Sequence, residues 1–94
     1  MIVGTAAYTF RIPLAHSLKD KRRLVKSLLE RVRQRYHAAA AEVDCQDVWQ
    51  KAVIGVAVVS NDTRHAEEML EHITHFMEEF SVEMELIQVD IELL

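Results

Sequence analysis

The chain has 94 residues, half of them apolar and 28% charged, enough for one domain with a modest core of the ordinary globular kind. Its longest apolar run, about Val53 to Val59, falls far short of the roughly 20 residues of a membrane-spanning helix, and the lone Cys45 cannot close a disulfide within the chain. The net charge of −4 hides an asymmetry: residues 1–61 carry ten basic and five acidic side chains, and residues 62–94 carry one basic and ten acidic.

In chain order, Ile2 to Ile12 alternates Ile2, Gly4, Ala6, Tyr8, Phe10 and Ile12 against Val3, Thr5, Ala7, Thr9 and Arg11, the period of a strand, and Pro13 stops it. Ser17 is a helix N-cap, with Asp20 at the third helical position as a shortened capping box. Leu18, Val25, Leu28, Leu29, Val32 and Tyr36 then recur at helical spacing to about Tyr36. In "HAAAAEVDC" four alanines favour continued helix, but Val43 and the polar residues after it suggest a strand about to fold back, and a strand is predicted. "CQDVW" makes the turn, and Val48 to Ser60 is a long strand rich in Val and Ile. "SND" caps a second helix that runs to about Phe80, with Ala66, Met69, Leu70, Ile73, Phe76, Met77 and Phe80 on one face. A last strand alternates Ile87, Val89, Ile91 and Leu93 against Gln88, Asp90 and Glu92. Val82, Met84 and Leu86 have the opposite phase, which predicts a bulge or turn near Leu86.

The order is βαββαβ, two βαβ halves of similar length forming a single domain over residues 1–94. Right-handed crossovers place both helices on one face of a four-stranded antiparallel sheet, the α+β, ferredoxin-like arrangement with the first and third strands central. That fold hosts many unrelated functions and decides none of them.

"AHSLKDKR" after the first strand, "EVDCQDVWQKA" through the hairpin and "GVAVVSND" entering the second helix resemble the YlxP-like family of small bacterial proteins, over essentially the whole chain. The resemblance implies a ferredoxin-like domain of unknown function, often encoded beside translation and ribosome-maturation genes. It supplies no agreed catalytic residues to carry over. A His is common in the family where Cys45 stands here, so a scheme that needs an imidazole in this hairpin does not transfer.

The first helix carries the strongest functional signal. Cations crowd an N-terminus where the helix dipole favours acidic groups. Lys19, Arg22, Arg23, Lys26 and Arg33 line one flank, broken only by Glu30, and Arg31 and Arg35 lie on the other. As a solvated face, these stems would cover the edge of the core. As an anion site they would be joined by the free amides of the helix start, with His16 and Ser17 beside the cap. An RNA phosphate backbone, or an acidic protein such as the acidic half of a neighbouring copy, is the matching partner; DNA sequence readout is not expected.

An RNA platform on the sheet is disfavoured, because Tyr8 and Phe10 share the core phase and Asp90 and Glu92 point to the open face. "AVIGVAVV" (Ala52 to Val59) is apolar on both faces although helices cover only one, which predicts a homo-oligomer through Ala52, Ile54, Val56 and Val58. In the second helix Glu68, His72, His75 and Glu79 form a stripe that reads as exposed His–Glu pairs rather than as metal ligands, since two histidines supply too few. Glu42, Asp44 and Asp47 around Cys45 are explained by turn chemistry, and no residue nearby activates the thiol.

The only glycines, Gly4 and Gly55, lie in strands, so no phosphate loop or dinucleotide fingerprint exists, and no cofactor or metal is expected. The reading is a non-catalytic cytoplasmic binding protein that contacts RNA or a ribosomal particle through its first helix. An acylphosphatase-type enzyme is the alternative on this fold, though "RIPLAHS" has no glycine to build the loop it needs. A purely structural or regulatory protein is the third.

Overall fold

Alternation in the first strand lays out the molecule. In the computed structural model, which describes Met1–Leu94, β1 (Ile2–Arg11) buries Gly4, Ala6, Tyr8 and Phe10 and leaves the residues between them half-exposed. β1 lies between β3 (Lys51–Ser60) and β4 (Glu85–Leu93), and β2 (Ala39–Asp44) pairs with the far side of β3, giving the antiparallel order β2-β3-β1-β4. The helices α1 (Leu18–Tyr36) and α2 (Thr63–Glu79) connect them in the order βαββαβ. This is the arrangement read from the sequence, including the strand in the alanine-rich segment. There β3 supplies the hydrogen-bonding partner that outweighs alanine's helix propensity.

Register decides which face of β3 is which. Ala52, Ile54, Val56 and Val58 pair with Phe10, Tyr8, Ala6 and Gly4, the core-facing residues of β1, and are at most 3% exposed. The prediction that these four form an oligomer contact is therefore incorrect. An apolar strand gives no sign of which phase points inward, and the phase is set by the neighbouring strand. The open face carries Val53, Gly55, Ala57 and Val59 instead. β3 also starts three residues later than predicted, because Val48 to Gln50 belongs to the turn.

Both outer strands carry an extra residue. The register of β4 against β1 slips between Gln88 and Leu86, leaving Ile87 as a bulge where the phase change had predicted one. The register of β2 slips between Glu42 and Asp44, leaving Val43 unpaired and leaning over Gly55, where an added Cβ would lie 2.7 Å from Val43 Cγ1.

The core between sheet and helices is built from Tyr8, Phe10, Leu28, Ile54, Leu70, Ile73 and Met77, all at most 1% exposed. Tyr8 brings a polar atom into it. Thr74 Oγ1 donates to Leu70 O at 2.8 Å, so it accepts the Tyr8 hydroxyl proton, also at 2.8 Å. Burial pushes the Tyr8 phenol above its usual pKa, and the bond to Thr74 offsets part of that rise.

Candidate anion-binding face of the first helix

α1 begins at a closed cap. Ser17 Oγ accepts from the Asp20 N–H at 3.1 Å, and Asp20 Oδ2 reaches back to accept from the His16 N–H at 3.0 Å. The carboxylate thus takes the anion position at the helix start. This corrects the expectation for Ser17, whose hydroxyl serves the cap by accepting from the Asp20 amide instead of facing an external anion. The His16 ring remains exposed beside it.

One turn in, the basic run divides. Lys21 points inward and is fully buried, its ammonium accepted by Cys45 O at 2.5 Å and Val48 O at 2.8 Å, and paired with Glu42 Oε2 at 2.7 Å. Gln46 O at 3.4 Å is a third carbonyl acceptor, and the lysine ties α1 to the β2–β3 turn. Glu42 Oε2 has no hydrogen bond, because the lysine contact is ionic without hydrogen-bond alignment. In that turn Cys45 adopts the left-handed conformation (φ 61°), and its N–H donates to Asp44 Oδ1. Sequence reasoning missed this pair, although its signal was present. Leu18, Lys21, Val25, Leu28 and Val32 are spaced by alternate threes and fours along one helix face, and Glu42 shares the inward phase of Ala38 and Ala40.

Lys19, Arg22 and Lys26 point outward, are exposed, and have no acidic group within 4.0 Å. Arg23 meets Glu83 only at 3.8 Å in the open, a contact worth little in water. Arg33 donates through Nη2 to Ala40 O on the edge strand β2, so one of its donors is fixed and the rest stay available. Arg22, Lys26 and Arg33 border a groove of about 330 Å³ between α1 and β2, with Glu30 and Glu42 at its sides. Of the predicted set, Lys19, Arg22, Lys26 and Arg33 thus share one side of the helix. Ser17 does not join them.

A second groove, of about 510 Å³, runs along the other side of α1 against α2. Arg31 lies over the Phe80 ring at 5.6 Å, and Arg35 over Tyr36 and Phe76 at 5.4 and 5.8 Å. His72, His75 and Glu79 line the α2 side. No three His, Cys, Asp or Glu side chains stand together in ligating geometry, and two guanidinium charges face the histidines, which disfavours a divalent cation. Zinc or nickel should therefore leave the melting temperature unchanged, whereas native-state binding at 100 times the dissociation constant would add about 2.7 kcal/mol. A metal-dependent rise in thermal melts, abolished by His72→Ala, would contradict this.

Two helices over one face of a four-stranded βαββαβ sheet define a ferredoxin-fold protein. In keeping with that, the chain is similar to two de novo designed proteins. It matches Foldit4 with a TM-score of 0.54 at 14% identity over all of this chain and 97% of that one. It matches LFR1 1, designed with a ferredoxin fold, with a TM-score of 0.50 at 14% identity over all of this chain and 83% of the other. At such identity the likeness concerns the fold alone. By sequence, residues 3–91 match DUF503, a family described as proteins of unknown function, and the chain belongs to that family. It is also 35% identical over 79 residues to the uncharacterized protein YlxP of Bacillus subtilis (strain 168), covering 84% of this chain and 86% of the relative. No helix is long and apolar enough to cross a membrane.

Proposed function

We propose that the protein is a non-catalytic RNA-binding protein that engages RNA or a ribosomal particle through the outer side of α1. One observation carries the reading: Lys19, Arg22 and Lys26 follow one another by three and four residues, exposed and without acidic partners. Neighbours at that spacing lie about 5–6 Å apart, so the three can meet a phosphate backbone together. The acidic side chains are concentrated on α2 and β4, which leaves this side of the molecule to attract a polyanion.

Replacing Lys19, Arg22 and Lys26 with Gln should weaken RNA binding and flatten its salt dependence by roughly 0.7–0.9 for each phosphate no longer neutralised. Stability should stay constant or rise slightly, since cations near a helix start are locally unfavourable. Filter binding across a salt series, with a urea melt of each variant, reads both. Reduced stability with unchanged association would make the run structural and end the proposal.

The same reading includes association of two copies through the open face of the sheet. Ala7, Ala39, Ala41, Gly55 and Ala57 line a shallow trough of about 700 Å³ there, bordered by Asp90 and Glu92 of β4. Arg11 and Lys51, paired across β1 and β3, stand at one end of that face. A two-fold contact can set this basic end against the acidic border of the other copy twice over. Light scattering should give twice the chain mass at high micromolar concentration, and Ala57→Arg should halve it. A monomer at that concentration would contradict the association and leave the RNA reading untouched.

A further inference from the structure

The groove between α1 and α2 lies outside the stripe assigned to RNA phosphate. Its cations are held differently from those of the stripe. Arg31 and Arg35 lie over aromatic rings with their Cζ atoms 5.4–5.8 Å from the ring centroids, and neither has a carboxylate within 4.0 Å. A guanidinium held over a ring by its charge and not by a carboxylate keeps its N–H donors free for the paired oxygens of an oxyanion. The rings are themselves braced: Phe76 meets Tyr36 edge-on with centroids 5.8 Å apart, and Phe80 tilts against Phe76 at the same separation.

We propose that this groove binds a nucleoside phosphate, either free or as one unit of single-stranded RNA, with the phosphate on Arg31 and Arg35 and the base stacked beside Phe76 and Phe80. The groove is larger than a phosphate alone requires, and its volume lies in the range of small-molecule sites. Guanidinium planes and aromatic rings are the surfaces on which unpaired bases stack. His72 and His75, on the opposite wall, offer ring nitrogens to the phosphate or the sugar. Glu79 is the one carboxylate in the lining; it repels a second phosphate and can accept from a base amino group.

The test is a nuclear magnetic resonance titration of the isotope-labelled full chain with adenosine monophosphate, adenosine and inorganic phosphate. The monophosphate should shift the Arg31 and Arg35 side-chain signals and the Phe76 and Phe80 ring signals saturably. Adenosine and phosphate should each bind about tenfold more weakly or less. Arg31→Gln with Arg35→Gln should abolish the shifts. Arg35→Lys, which keeps the charge and most of the packing but loses the planar fork of donors, should weaken binding even where the double variant unfolds.

The Lys19, Arg22 and Lys26 triple variant should bind the monophosphate as well as the parent does, so failure of the stripe and failure of the groove are read separately. A single-stranded oligoribonucleotide that competes with the monophosphate identifies an RNA unit as the occupant. One that leaves the groove signals alone identifies the free nucleotide. Absence of shifts at millimolar monophosphate, equal shifts with phosphate alone, or undiminished binding by Arg35→Lys would overturn the proposal.

Discussion

Replacing Lys21 with methionine should lower the unfolding free energy by about 3–5 kcal/mol, the usual cost of removing one member of a buried ion pair. The substitution leaves the Glu42 carboxylate facing the core side without its cation, and deprives Cys45 O and Val48 O of their donor. A domain of this size has only about 5–15 kcal/mol in total, so the urea midpoint should fall steeply. Changing Glu42 to Leu in the same chain should restore part of the loss, because no unpaired charge then remains. Some penalty should persist, since the turn carbonyls stay without a donor. Equal stability of the single and double variants would show that the stranded Glu42 carboxylate is not the source of the loss. A loss below about 1 kcal/mol for Lys21→Met would show that water replaces the ammonium.

The second large effect is expected at Gly4. A Cβ there would lie 3.0 Å from Leu70 Cδ1 and 3.2 Å from both Leu93 Cδ2 and Val58 Cγ2, so it would be hemmed in by α2, β4 and β3 at once. Gly4→Val should cost about 1–3 kcal/mol by forcing these side chains off their preferred rotamers. Gly55→Val provides the contrast. Its single close neighbour is Val43, which is 54% exposed on the outer strand and can give way into solvent. Denaturant melts should rank Gly4→Val well below Gly55→Val. In Gly4→Val with Leu70→Ala the combined loss should be smaller than the sum, since the alanine vacates the space that the valine needs. Additive losses would mean that α2 shifts as a unit and Leu70 is not the obstacle.

The sequence made the element order readable because most elements carry a period of their own: two for β1 and β4, three to four for α1 and α2. What it left open depends on partners distant in the chain. β3 is apolar on both faces, so its inward phase follows only from pairing Ile54 with Tyr8. Lysine is so seldom buried that the inward spacing of Lys21 does not stand out by itself; its burial rests on Glu42 and on a turn whose carbonyls lie 24 and 27 residues further along the chain. The outward cations were legible because helical spacing alone assigns them. Arg31 and Arg35 were visible as a second basic flank, but the aromatic rings beneath them come largely from α2, and no local pattern announces that meeting.

The two bulges have a consequence for how the protein can polymerise. A sheet grows without limit when an outer strand offers a straight row of free backbone donors and acceptors to the next chain. Here Val43 interrupts β2 and Ile87 interrupts β4, so neither margin presents an unbroken row. Arg33 occupies the Ala40 carbonyl on one margin, and Glu85, Asp90 and Glu92 place like charges along the other. These features disfavour strand-by-strand addition, the route to fibrils, at both margins. Contact between copies is then directed to the open face of the sheet and away from its margins.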